Sequence, residues 1–248
     1  MPERSRPVAL VANADFYVGP ALARGLATRG FDLVLGDPRA DLVAELEAAG
    51  AAVEPVAGVG NLARPEAAPR LVEAALTRFG GLDSAVAFSG QIVVGRFTSS
   101  SIDDLHKVVS GCLEAPYHFL KAAVTPMVEQ GEGQLLLITS AAGLRPTPGA
   151  PLYSSARAAA TMLARNVAAE VARNGVQVNA VGTNFMDFPE FLAASGANDP
   201  EVRARLEAEV PLRRLGTMEE FAAFCMPFID GTSRFTTGQA VAYAGGWA

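Results

Sequence analysis

The sequence predicts an α/β fold: a doubly wound, mostly parallel seven-stranded sheet with helices on both faces. Three observations carry that prediction. Short β-type apolar runs alternate with longer stretches of helical period. No repeat, low-complexity tract or Pro/Gly linker divides the chain. The 248 residues, half of them apolar, can bury one sizeable core. A single domain over residues 1–248 is therefore expected.

In chain order, strands are expected near 7–12, 31–36, 51–56, 82–88, 133–139, 176–181 and 238–243. Helices are expected near 19–29, 39–49, 66–79, 102–130, 151–174 and 218–229. Such alternation needs right-handed crossovers, which puts ligands beyond the carboxyl ends of the strands. The loops after residues 12, 88, 139 and 181 then share one rim. The stretch 183–210, "TNFMDFPEFLAASGANDPEVRARLEAEV", breaks the rhythm with two short helical pieces and several aromatic residues. It reads as a lid or pocket wall.

Charge narrows the class of partner. With 20 Lys and Arg against 26 Asp and Glu, the net charge is −6, and no basic cluster offers a field to nucleic acid or anionic lipid. Neither nucleic acid nor a membrane is expected as a partner. Cys112 and Cys225 lie in apolar helical contexts, and the N-terminal apolar run is too short for a leader or a span, so a cytoplasmic setting is expected. His106 and His118 stand twelve apart on a helix with no Cys cluster, so no metal site is expected. Arg213 and Arg214 in "PLRRLG" are read as pairing or capping locally.

The first strand-to-helix turn, "VANADFYVG", sits where a dinucleotide phosphate is bound in folds of this type. Such a turn needs glycines for tightness, for close approach of the backbone to the pyrophosphate, and for helix packing. Only the packing glycine, Gly19, is present. Asn13 takes the first position and Tyr17 the second, where a phenol ring fills the space of the pyrophosphate, and Asp15 adds a negative charge beside it. Asp37, ending the second strand, is either the residue that holds an adenosine ribose or a helix cap ahead of Pro38, and the cap is favoured.

A polar trio stands further along. "LLLITSAAG" ends a strand with Ser140, and "PLYSSARAAATMLA" opens a helix carrying Tyr153 and Arg157. Four residues apart, Tyr and Arg share a helix face. A phenol is a weak base at neutral pH, but a fixed positive neighbour favours its ionised form. A serine hydroxyl, donor and acceptor at once, can hold a substrate oxygen in line with the phenol. The trio suits proton removal from an alcohol.

On these residues the chain resembles the short-chain dehydrogenase/reductase superfamily, a Rossmann-like family, over essentially its whole length, including "PLRRLGTMEEFA" and "TGQAVAYAGGW". Within it the departures are similar to the halohydrin dehalogenases, cofactor-independent relatives with Ser–Tyr–Arg at this spacing and an aromatic residue in the phosphate loop. The superfamily's usual Lys is here Arg157. "AFSGQ" at 87–91 replaces an Asn–Ala–Gly, Cys112 replaces a helix Asn, "VGTNFM" at 181–186 replaces a Pro–Gly, and Ala244-Gly245-Gly246 replaces a terminal DGG. Ala12, where the dehalogenases usually have Thr, runs the other way.

That resemblance implies a lyase with no cofactor and catalytic Ser140, Tyr153 and Arg157. Tyr17, Asn184, Phe185 and Met186 would cradle the halide, with Phe188 and Phe191 in the substrate pocket. The reaction implied is reversible closure of a vicinal haloalcohol to an epoxide, with halide and a proton released and small anions (azide, cyanide, nitrite) running it backwards. The partners implied are haloalcohols, epoxides and small anions, and the assembly a homotetramer. The alternative is an NAD(P)-dependent short-chain oxidoreductase in which Arg replaces the active-site Lys; a catalytically dead relative is a third reading.

Overall fold

The computed structural model describes residues 5–88 and 90–248. Its strands are β1 (Val8–Val11), β2 (Asp32–Gly36), β3 (Val53–Val56), β4 (Ser84–Phe88), β5 (Gly133–Ser140), β6 (Val176–Thr183) and β7 (Ala240–Tyr243). They form one sheet in the order β3-β2-β1-β4-β5-β6-β7, and every pairing is parallel. The helices are α1 (Gly19–Ala27), α2 (Ala40–Ala48), α3 (Ala67–Phe79), α4 (Ile102–Val109), α5 (Ala115–Gln130), α6 (Pro151–Val171), α7 (Pro189–Ser195), α8 (Pro200–Glu209) and α9 (Met218–Cys225). The predicted doubly wound Rossmann-like architecture is the observed one. No helix of the described residues is long and apolar enough to cross a membrane.

Central strands of such a sheet must be apolar on both sides, because helices cover both faces. β5 and β6 are buried at every residue. Side chains alternate between two cores, as the period of two requires. Leu135 and Leu137 join Phe119, Ala123 and Ala164 on one face. Leu136 and Ile138 join Leu22, Leu26 and Phe221 on the other.

The helix expected over 102–130 is divided. A π turn at Ser110–Glu114 separates α4 from α5, with Cys112 buried inside it. Pro116, in the first turn of α5, has no N–H for the carbonyl four residues back, so the α ladder cannot run through unbroken. The 183–210 segment does carry two short helices, α7 and α8, each opened by a proline. Asp187 ties them to the strand end by an ion pair with Arg203 at 2.5 Å.

At the end of the sheet away from the rim, buried amides do the fastening. Gln134 Nε2 donates to Gln177 Oε1 at 3.0 Å and to the Ser233 carbonyl at 2.9 Å, and Gln134 Oε1 accepts from the Gly231 N–H at 2.7 Å. Asn179 Nδ2 donates to the Thr236 carbonyl at 2.8 Å. Arg214 pairs with Glu220 through two contacts of 2.7 Å and Arg213 donates to the Ala208 carbonyl, so both arginines are engaged locally, as expected.

Candidate active site

Ser140 is the last residue of β5, and its Oγ accepts from the Ala142 N–H at 3.2 Å and donates to the Thr183 carbonyl at 3.4 Å. Tyr153 lies in the first turn of α6, which Pro151 opens. One turn on, the Arg157 guanidinium carbon sits 5.1 Å from the Tyr153 ring centroid and 5.6 Å from that of Phe88. Arg157 is 1% exposed, and its Nε and Nη1 have no hydrogen-bond partner among the described residues. A Cβ at position 90 would fall 1.7 Å from Arg157 Nη2, so Gly90 is the residue that lets the backbone pass the cation.

Ser140 and Tyr153 open onto a cavity of about 240 Å³. Tyr17, Asn184, Phe185, Met186, Phe188 and Phe191 line it too, so the structure gathers every flagged side chain except Arg157, which lies behind Tyr153 and Phe88. Sequence reasoning missed Phe88, Thr183 and Trp247 as walls. Thr183 was hidden because the strand was expected to end at 181, whereas β6 runs on to it. So was Trp247: it reaches the cavity because Arg145 donates to its carbonyl at 2.6 Å and stacks on its ring at 4.5 Å. The 184–187 segment is itself tied down, since the Phe185 carbonyl and the Asp187 N–H both pair with Gly216.

The front turn keeps the backbone of a glycine turn while carrying a ring. Tyr17 holds φ 55°, a left-handed conformation that costs a non-glycine residue about 1–3 kcal/mol unless its surroundings hold it there. The surroundings do hold it. Its Oη donates to Thr183 Oγ1 at 2.9 Å, and its ring lies 4.7 Å from Phe188 and 5.1 Å from Phe88. Burial pushes the Tyr17 phenol well above its ordinary range, so it remains a neutral donor. Gly19 is the packing glycine expected: a Cβ there would lie 2.0 Å from the Asn13 carbonyl oxygen.

Two readings of this rim need correction. Asp15 does not stand as a bare charge against phosphate, because Arg39 pairs with it at 3.2 Å. Asp37 is not a helix cap. α2 begins at Ala40 with Arg39 as its N-terminal flank, and Asp37, at φ 45°, accepts from the Gly58 and Val59 N–H groups at 2.5 and 2.9 Å. Its carboxylate thereby fixes the loop after β3.

On the other side of Phe88 lies a larger crevice of about 650 Å³, where the strand order reverses between β1 and β4. Asn13, Asp37, Asn61, Leu62, Gln91 and Glu190 are among its walls. Crevices at such a switch point are where dinucleotides bind in open α/β sheets.

Residues 17–248 match the family described as Enoyl-(Acyl carrier protein) reductase. The chain is 31% identical over 245 residues to a 3-oxoacyl-[acyl-carrier-protein] reductase of Synechocystis, covering 96% of this chain and 92% of that protein. It belongs to the short-chain dehydrogenase/reductases. Another relative of this superfamily member is the 2,5-dichloro-2,5-cyclohexadiene-1,4-diol dehydrogenase LinX of Sphingobium indicum, 28% identical over 97% of this chain and 96% of that one. Among solved structures, a gluconate 5-dehydrogenase of Burkholderia cenocepacia, in complex with NADP and tartrate, superposes with a TM-score of 0.86 at 23% identity. It covers 97% of this chain and 94% of that one, a likeness of fold.

These findings overturn the expectation of a cofactor-independent halohydrin dehalogenase. The matching family and the relatives carry oxidoreductase names, and the lyase reading of Tyr17, Asn184, Phe185 and Met186 as a halide cradle falls with it. The physical reason is in the crevice. Departures at Tyr17, Arg157, Cys112, 181–186 and 244–246 were read as the concerted loss of a cofactor site, yet an adenosine-sized space at the switch point is still open. Of the "AFSGQ" departure, Ser89 lies outside the described residues.

Proposed function

We propose that this short-chain dehydrogenase/reductase interconverts a secondary alcohol and its carbonyl compound with a nicotinamide dinucleotide, using Arg157 where the superfamily has Lys. The observation that supports this best is the juxtaposition of two spaces on one rim. A cavity bearing Ser140 and Tyr153 adjoins the switch-point crevice, and a buried cation whose Nε and Nη1 have no partner among the described residues lies beside the phenol.

The residues fit the dinucleotide at both ends. Asn13, Asp37, Asn61 and Leu62 would hold the adenosine portion, and Arg157, whose Nε and Nη1 have no acceptor among the described residues, would hold the nicotinamide ribose. Between the ends stands Tyr17, which must turn aside by breaking one hydrogen bond and its ring contacts. The dinucleotide, when bound, supplies the hydride acceptor or donor. Ser140 Oγ then holds the substrate oxygen, Tyr153 Oη takes its proton in oxidation and returns it in reduction, and the Arg157 guanidinium stands against the Tyr153 ring.

The test is to mix the protein with NAD⁺ or NADP⁺ and a panel of neutral secondary alcohols and follow absorbance of the reduced nicotinamide. Turnover that disappears in Tyr153→Phe is the expected result. Failure of both dinucleotides to bind or be reduced would overturn the reading. For assembly we propose the homotetramer, packed through the groove between α5 and α6 lined by Tyr117, Leu120, Val124 and Leu163; sedimentation at the monomer mass would refute it.

A further inference from the structure

We propose that the substrate of this site is a compact, uncharged, ring-bearing secondary alcohol or ketone, not a hydroxy acid or a polyol. The inference rests on the oxidoreductase reading for its reaction, but its evidence is the cavity itself.

Among the described residues that line the 240 Å³ space, none is charged. Polar groups in the wall include Ser140, Tyr153, Thr183, Asn184, Thr139 and Thr147, while the rings of Phe88, Phe185, Phe188, Phe191 and Trp247 make much of the remainder. Two cations lie next to the walls without lining the space: Arg157 has the rings of Tyr153 and Phe88 against its guanidinium, and Arg145 is spent on the Trp247 carbonyl and ring. A carboxylate placed here would shed its water with no cation among the described walls to receive it, a cost of several kcal/mol in proteins. A sugar acid needs a partner for each of several hydroxyls, and the wall hydroxyls of Tyr17, Thr139 and Thr147 are already engaged within the protein.

The walls also set a shape. Phe188 and Phe191 stack with centroids 6.1 Å apart and planes 26° apart, and Trp247 meets Phe185 edge-on at 5.7 Å. With Phe185 and Phe191 edge-on at 6.4 Å, the four rings form one continuous aromatic wall, which favours a flat or cyclic occupant. An engineered apolar cavity of about 150 Å³ takes up benzene, so the larger space here admits a six-membered ring with a short arm. The carbinol end of such a molecule reaches Ser140 and Tyr153 while the ring lies on the aromatic side.

Trp247 is the protein's only tryptophan and stands in this wall, so its emission reports occupancy without any turnover. The cofactor-free protein would be titrated with 1-phenylethanol, cyclohexanol, 3-hydroxybutyrate and gluconate. The expected result is a saturable change with the two neutral ring alcohols and at least tenfold weaker response to the two carboxylates. Phe191→Arg should lower ring-alcohol affinity at least tenfold and raise that of 3-hydroxybutyrate. Val94→Lys, at a 74% exposed position of the same mouth where folding is not at stake, should move carboxylate binding in the same direction. Tighter binding of the carboxylates by the unmodified protein, or no response to either ring alcohol from folded protein, would overturn the proposal. Ring-alcohol binding without dinucleotide-dependent turnover would uphold it and sink the oxidoreductase reading. Turnover confined to hydroxy acids would do the reverse.

Discussion

Two spaces share the carboxyl-end rim and differ in almost every respect. The switch-point crevice is large, amide-lined and bears Asp15, Asp37 and Glu190; the catalytic cavity is small, aromatic and without charge among its described walls. Tyr17 and Phe88 stand between them, and Phe88 lines both. The contrast teaches that two parts of one enzyme site can change separately. On the proposed reading the Ser140, Tyr153 and Arg157 trio would handle the proton and the crevice would take the adenosine portion, while the passage between them holds a ring on a backbone shaped for glycine.

The sharpest way to test that division is to disable one side and watch the other. Tyr153→Phe should lower kcat for alcohol oxidation by about 10²–10⁴-fold, the range of lost general-base catalysis, while leaving dinucleotide binding unchanged. Next in size, Tyr17→Gly should tighten dinucleotide binding at least tenfold by equilibrium titration, because it removes the ring and relieves the left-handed backbone together. No change would mean that the ring does not obstruct the passage.

Arg157→Met separates stability from activity. It removes a buried cation with two nitrogens that have no partner among the described residues and substitutes an apolar chain, so the thermal midpoint should rise by the equivalent of about 1–4 kcal/mol while turnover collapses. A lower midpoint in calorimetry would show that the cation's contacts with Tyr153 and Phe88 outweigh its desolvation. The smallest effect expected is alkaline. Burial raises the proton affinity of both Tyr17 and Cys225 in the folded state. The unfolded chain therefore loses those protons first, and stability, fully present below about pH 8.5, falls as the pH climbs through about 10. Cys225→Ala should move the onset of that fall toward higher pH in denaturant titrations.

The sheet, its order of elements and the trio were legible because they depend on short-range pattern: period-two and period-3.6 apolar spacing, and a Tyr and Arg one helical turn apart. The cavity walls were partly legible, since the aromatic residues of 185–191 follow directly on a rim strand. What could not be read depends on distant meetings. Trp247 enters the wall through Arg145, about a hundred positions away in the chain. Asp37 turns from cap to loop clamp because Gly58 and Val59 arrive from the next strand. Cofactor loss was inferred by adding up single-residue departures, yet whether space for a dinucleotide persists is a property of how four loops pack.

The buried amides at the foot of the sheet bear on how this scaffold can be altered. Gln134, Gln177 and Asn179 fasten β5 and β6 at the pole opposite the chemistry, so the loops leaving those strands carry little responsibility for keeping the layers together. Mutational libraries confined to 184–191 and to the neighbourhood of Val94 should yield mostly folded variants with altered selectivity, whereas the same number of changes around Ser233 and Thr236 should yield mostly insoluble ones.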